Sequence, residues 1–86
     1  MEPERIEFPV DYPIKVVART QPALRERIDA IFARHFGPQP AAGVGERQSA
    51  QGHFISLTYV PRVDSEAQLR ALHADLTAVE GVMMVI

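Results

Sequence analysis

Three histidines are the residues of this chain best suited to bind a metal ion or to transfer a proton: His35, His53 and His73. They lie in three separate segments, and no pair has the HxH or HxxxH spacing that brings two imidazoles to one metal ion. His35 lies near the end of a helical stripe, where the helix dipole favours a positive charge and the ring can bond a terminal carbonyl. The sequence therefore predicts a structural role for His35, and we expect no metal site and no bound cofactor.

Nucleophilic catalysis needs a serine or cysteine held beside a base. The chain has no cysteine, and Ser49, Ser56 and Ser65 lie in no G-x-S-x-G or comparable frame. The carboxylates are scattered, and residues 19–22, the first connection between a strand and a helix, contain no glycine that could help cradle a phosphate. We therefore expect no catalytic residues and a protein that is not an enzyme.

The charge balance of the chain indicates which classes of partner it can bind. Nine basic and eleven acidic residues give a net charge of −2. Because they are spread along the chain, the sequence predicts no basic face, and we expect neither nucleic acid nor a membrane surface as a partner. The acidic start MEPERIEF differs from a signal peptide, and nowhere do about 18 apolar residues run together. A small cysteine-free domain suits a reducing compartment, so we expect a cytoplasmic protein.

The elements that must position these residues follow from the hydrophobic periods. Alternating and helical patterns predict, in chain order, strand 12–20, helix 22–36, strand 44–48, strand 53–60, helix 66–80 and strand 82–86. Thr20 or Gln21 can cap the first helix. Asp64 or Ser65 can cap the second, and Ser65 with Gln68 can form a capping box there. The breaks at Pro3 and Pro9 predict a loose arm over 1–11 of a single domain that spans 1–86.

This β-α-β-β-α-β order is that of a ferredoxin-like α+β sandwich. We expect one antiparallel sheet of four strands in the order 4-1-3-2, with both helices on one face. The residues that we expect in its core are Ile14, Val16, Leu24, Ile28, Ile31, Leu57, Leu69, Leu72 and Leu76.

The strand parity predicts which side chains lie on the other, open face of the sheet. If Ile14, Val16 and Leu57 point toward the helices, their strand neighbours point away from them. The candidate interaction surface consists of Lys15, Val17, Arg19, Phe54, Ser56, Thr58, Met83 and Val85. Half of it is apolar, which more often marks a contact surface than a solvated one. RNA-recognition domains share the element order, but a single aromatic residue, Phe54, and the acidic balance disfavour that function.

Several short motifs occur together in a fixed order: Glu7-Phe8-Pro9, Lys15-Val16, Arg34-His35, the Ser49-x-x-Gly52-x-Phe54-x-Ser56-x-Thr58 hairpin and an apolar C-terminal strand. In their order and spacing they resemble the YbeD-like family of small bacterial proteins of unknown function. The resemblance covers nearly the whole chain. It implies a ferredoxin-like fold similar to the ACT regulatory domain, a weak association with lipoate-synthesis genes, and no catalytic residues to carry over.

Two functions are consistent with these observations. The first is a regulatory or adaptor module that binds a protein partner, or itself, through the open sheet face or a strand edge. The second, implied by the resemblance, is an ACT-type sensor that binds a small molecule at Thr20–Leu24, where ACT domains often carry glycine or asparagine. The present residues there are Thr20, Gln21 and Pro22, which favours protein interaction over amino-acid binding.

Overall fold

Two helices and six strands make up the part of the chain that a computed structural model describes, residues 7–86. The strands are β1 Val10–Asp11, β2 Ile14–Arg19, β3 Gly45–Gln48, β4 Phe54–Tyr59, β5 Arg62–Val63 and β6 Val82–Val85. The helices are α1 Leu24–Phe36 and α2 Glu66–Thr77, and a short 3-10 turn covers Ala41–Gly43. Within residues 7–86, no helix is long and apolar enough to cross a membrane.

Four of the strands form one antiparallel sheet in the order β3-β4-β2-β6. The central pair runs in unbroken register from Ile14 opposite Tyr59 to Arg19 opposite Phe54. The two helices and the four-stranded antiparallel sheet confirm the predicted α+β class. The short strands β1 and β5 form a separate two-stranded sheet, in which Val10 lies opposite Val63. The last two residues of the predicted loose arm are thus paired, and its first six lie outside the described residues.

The core lies between the helices and one face of the four-stranded sheet. Both helices and the strands β2 and β4 contribute to one cluster of buried side chains: Ile14, Val16, Ala18, Leu24, Ile28, Ile31, Phe32, Ile55, Leu57, Tyr59, Leu72 and Leu76. Leu69, Val82 and Val85 are half-buried against it. Because both helices share this cluster, they cover the same face of the sheet.

Helix α1 begins later than predicted, at Leu24, and neither Thr20 nor Gln21 caps it. Thr20 instead donates its backbone N–H to the carbonyl of His53 at 2.9 Å, which prolongs the sheet. The residue before the helix is Ala23, whose φ of 60° is left-handed, a conformation that costs a non-glycine residue about 1–2 kcal/mol. The turn between β2 and α1 therefore takes more residues than a cap at Gln21 allows.

The Gln21 side chain holds the turn between α2 and β6. Its amide donates to the backbone carbonyl of Glu80. The next residue, Gly81, has a φ of 90°, and a Cβ placed there would lie 2.6 Å from Gln21 Nε2. Glycine is favoured at this position because the positive φ would strain any other residue, and a side chain there would also displace the flexible Gln21 amide from Glu80.

Helix α2 begins as predicted. The Ser65 hydroxyl accepts the N–H of Gln68 at 3.2 Å, and the Gln68 side chain accepts the N–H of Asp64 at 2.9 Å. The amide of Gln68 also donates to the carbonyl of His35 at 2.9 Å. The cap of α2 therefore also fastens that helix to the last turn of α1.

Candidate functional site

The open face of the sheet carries the side chains that the strand parity predicted for β2 and β4. In β2, Lys15, Val17 and Arg19 alternate with buried residues and are exposed or half-buried. Phe54, Ser56 and Thr58 do the same in β4. The register places them side by side, with Lys15 opposite Thr58, Val17 opposite Ser56 and Arg19 opposite Phe54. These six residues therefore form one contiguous patch on the side away from the helices.

The contribution of β6 differs from the prediction because its pairing with β2 contains a bulge. Val85 lies opposite the buried Val16 and packs against the core, so its placement on the open face was wrong. Met84 takes the open position opposite Val17. Met83 is the extra residue of the bulge and is 57% exposed. An inserted residue reverses the alternation beyond it, which is why strict period-2 counting failed here.

Strand β3 adds a residue that the sequence analysis did not assign to this face. Arg47 lies opposite Ser56 on β4 and therefore shares its side of the sheet. Together with Val17, Ser56 and Phe54 it lines a shallow depression of about 210 Å³. The sequence signal that could have placed Arg47 on this face is the alternation across the hairpin at 49–52. Once the face of each β4 residue is known, that alternation fixes the face of its partner on β3.

We define the open-face patch as Lys15, Val17, Arg19, Arg47, Phe54, Ser56, Thr58 and Met84. Its apolar members belong to adjacent strands: Phe54 is 38% exposed, Met84 is 51% exposed, and Val17 between them is half-buried. Lys15, Arg19 and Arg47 take part in none of the ion pairs formed between residues 7 and 86. Although the chain is net acidic, its fold thus gathers three cations around an apolar strip, contrary to the expected lack of a basic face.

A second polar cluster lies on the helix side and joins α1 to the sheet. The Tyr59 hydroxyl donates to the Asp29 carboxylate. Arg25 donates from Nε to both oxygens of that carboxylate at 3.0 Å and from Nη1 to Glu46 at 3.0 Å. Burial, followed by the hydrogen bond to Asp29, raises the pKa of Tyr59 above its ordinary range. These partners satisfy one another, so the cluster fastens β3 and β4 to α1 and presents no activated nucleophile.

The titration of Tyr59 leads to a testable prediction. Because its pKa is raised in the folded chain, its contribution to stability is full below the unfolded pKa of about 10 and is lost as the pH rises above it. We expect the free energy of unfolding to fall more steeply with pH in the wild type than in Tyr59→Phe. Urea unfolding between about pH 8 and pH 11.5 measures the difference. Equal slopes for the wild type and Tyr59→Phe would contradict the prediction.

His35 joins the two helices, and its partner is a carboxylate where the sequence analysis expected a carbonyl. Its Nε2 lies 2.6 Å from Asp75 on α2, and Arg34 donates to the same carboxylate oxygen at 3.1 Å. The hydrogen bond from His35, and then the charge of Arg34, lower the pKa of Asp75. Among residues 7–86, no three His, Asp or Glu side chains are grouped so that they could hold a metal ion.

The turn at Thr20–Leu24, where the ACT resemblance implies an effector, is engaged internally. Thr20 extends the sheet by its bond to His53, and the Gln21 amide is bound to Glu80. The backbone N–H of Thr20 and the side-chain NH₂ of Gln21, two donors that such a ligand could use at this turn, thus already have partners within the domain.

The fold and the patch define a small α+β domain with two helices on one sheet face and a half-apolar, cationic opposite face. The chain belongs to the family described as "Protein of unknown function (DUF493)", which matches residues 3–86. This confirms the resemblance inferred from the motifs.

Curated relatives match over almost their whole length. The chain is 34% identical to a UPF0250 protein of Hahella chejuensis over 85 residues, covering 99% of this chain and 93% of that one. A UPF0250 protein of Ectopseudomonas mendocina is 33% identical over 87 residues, with 100% and 95% covered. One from Shewanella woodyi is 34% identical over 84 residues, with 96% and 92% covered. The domain described here is therefore the common unit of these bacterial proteins.

Proposed function

We propose that this protein is a non-enzymatic interaction module, regulatory in role and acting in the cytoplasm, whose open-face patch binds an acidic protein partner. One observation carries the proposal. An exposed apolar strip crosses neighbouring strands and is flanked by Lys15, Arg19 and Arg47, which form none of the ion pairs within residues 7–86.

An apolar centre with a charged rim is the usual composition of a protein-binding surface. The apolar area comes from Val17, Phe54 and Met84. The sheet beneath these side chains already shields one side of them from water. The three cations steer an acidic surface toward the patch and fix its orientation. Because these charges are exposed, their contribution weakens with added salt, so we expect the affinity to fall as ionic strength rises.

The same features select the class of partner. A nucleic acid calls for several stacking aromatics and an excess of positive charge, whereas this patch has Phe54 alone and the chain carries −2. Two copies of the patch would place cations against cations, which disfavours self-association through this face. An acidic protein surface satisfies both the charge and the apolar strip.

The fold is consistent with a regulatory domain. Counted within the four-stranded sheet alone, β2, β3, β4 and β6 give the order 4-1-3-2, and we propose that the domain is a ferredoxin-like variant similar to ACT domains. The ACT-type sensor is the alternative function. The internal bonds of Thr20 and Gln21 favour the interaction module over it. A connection with lipoate metabolism rests on the family resemblance alone.

Phe54→Asp tests this proposal. It places a negative charge at the centre of the patch, so we expect it to weaken the binding of an acidic partner by about tenfold or more. Its effect on the free energy of unfolding should stay within about 1 kcal/mol, because the side chain lies outside the core. The measurement uses immobilised protein, nuclease-treated native lysate and quantitative mass spectrometry, followed by titration of the purified captured protein at two salt concentrations.

Ala71→Asp, on the exposed side of α2, is the matched control and should bind like the wild type. Three outcomes would contradict the proposal: capture that disappears with nuclease treatment, a partner whose affinity is insensitive to salt, and a partner that binds Phe54→Asp as tightly as the wild type.

A further inference from the structure

The two edges of the four-stranded sheet differ in chemistry. The β3 edge carries Glu46, Arg47 and Gln48, and charged side chains are a common protection against edge-to-edge pairing. The β6 edge carries Val82-Met83-Met84-Val85 with no charge and no proline. Among residues 7–86, β6 has a strand neighbour on one side only, β2. Its outer side is therefore an apolar edge at which another strand can pair.

The faces of β6 are symmetric about its centre. Val82 lies opposite the buried Ala18, and Val85 lies opposite the buried Val16, so both valines face the core. Met84 lies opposite Val17 on the open face, and the exposed Met83, the neighbour of Val82, points away from the core as well. The bulge therefore gives the strand the pattern core, open, open, core, and the sequence Val-Met-Met-Val has the same symmetry.

We propose that β6 pairs antiparallel with β6 of a second copy of this chain, about a two-fold axis between Met83 and Met84. This inference goes beyond the function proposed for the open-face patch, because it names a second partner and a different edge that binds it. In this register Val82 lies opposite Val85 of the second copy, and Met83 lies opposite Met84. Each pair joins residues of the same face, so both faces of the two sheets continue across the axis.

A second copy is the occupant that these observations favour. A two-fold axis requires a patch that is complementary to itself, and a strand whose sequence and face pattern are both palindromic meets that requirement. The edge carries no charge that would repel its own copy, unlike the open-face patch with its three cations. The remaining surface of each copy stays accessible, including the members of the open-face patch on β2, β3 and β4.

The core side of β6 gives a further reason for a neighbouring strand. Val85 borders a partly open, largely apolar cavity of about 210 Å³ between α2 and the sheet, which Leu69, Leu72 and Ile86 also line. In the proposed register, Val82 of the second copy lies beside Val85 and therefore next to this cavity. Pairing would cover apolar surface there that the single chain leaves open.

Two double variants with equal numbers of charges test the register. Met83→Glu/Met84→Lys places glutamate opposite lysine twice across the axis, whereas Met83→Lys/Met84→Lys places lysine opposite lysine twice. A four-residue ladder is a small interface, so sedimentation velocity should cover chain concentrations up to about 1 mM. We expect the wild type and the glutamate-lysine variant to dimerise, and the dimer dissociation constant of the lysine-lysine variant to be at least about tenfold higher.

Failure of the dimer proposal can be distinguished from failure of the open-face proposal. Phe54→Asp should dimerise like the wild type, because β4 is separated from this edge by β2. A wild-type chain that stays monomeric up to about 1 mM overturns the proposal, and so do two double variants that lose dimerisation equally.

A cross-linking experiment keeps the test valid if a charged variant fails to fold. The chain has no cysteine, so Met83→Cys and Met84→Cys introduce unique thiols. With oxidised glutathione as the oxidant, a mixture of these two variants should form a disulfide-linked heterodimer faster than either variant alone forms a homodimer. Equal rates in the three samples would contradict the register.

Discussion

Replacing Leu72 by alanine should lower the free energy of unfolding by about 2–5 kcal/mol. Leu72 is 1% exposed and lies on the face of α2 that packs into the main core cluster. The truncation removes buried methyl groups and leaves a space that the surrounding side chains fill only in part. Urea denaturation followed by circular dichroism measures the change, with a slope close to that of the wild type.

Leu69→Ala is the matched control for this prediction. Leu69 lies three residues earlier on the same helix but is half-buried, so less of its surface leaves water on folding. We expect its cost to be smaller than that of Leu72→Ala. If Leu69→Ala proves the more costly, the packing of α2 described here is incorrect.

Phe32→Ala should be the most destabilising single truncation considered, at about 3–5 kcal/mol. Phe32 is fully buried and stacks on Tyr59, with ring centroids 3.8 Å apart and planes inclined by 12°. The variant loses both the burial and the stacking, and it leaves Tyr59 without its cover on that side. The expected observation is a large fall in the midpoint of urea unfolding, or a chain that is unfolded at 37 °C.

Phe36→Ala tests whether the effect comes from burial or from helix composition. Phe36 lies one turn later on α1 and is half-buried, at 6.2 Å from the Phe32 ring. Because it packs at the margin of the core, we expect a clearly smaller cost. Equal costs at the two positions would show that Phe32 is not the centre of this packing.

The sequence predicted well those parts of the fold in which one face of an element is polar. In β2 the alternation of Ile14, Val16 and Ala18 with Lys15 and Arg19 leaves one possible parity, and the structure has it. The cap of α2 was equally predictable, because a capping serine and its partner lie three residues apart, within one turn.

Strand β6 could not be assigned in this way. Its residues are apolar on both sides, so the sequence contains no polar position that marks the open face. The bulge at Met83 depends on the pairing with β2, which is a property of the assembled sheet. Strict alternation puts Met83 and Val85 on the same face. It therefore placed Val85 on the open face together with Met83, although Val85 packs against the core.

The remaining differences also come from contacts between distant parts of the chain. Gln21 has the properties of a helix cap, but its amide binds Glu80, 59 residues away in sequence. Arg47 joins Lys15 and Arg19 on one face because β3 and β2 both flank β4. A local pattern contains no information on either arrangement, so the cationic patch became visible only with the sheet register.

The close approach of Gln21 and Gly81 has a consequence for how this family can diverge. The Gln21 amide occupies the space that a side chain at position 81 would need, and the backbone there is left-handed. A homologue that carries a larger residue at position 81 must therefore accommodate a strained backbone there and move the side chain at position 21 away from the carbonyl at position 80. Across related bacteria, we expect glutamine at position 21 to be found mainly where position 81 is glycine, because only there can its amide hold the carbonyl at position 80.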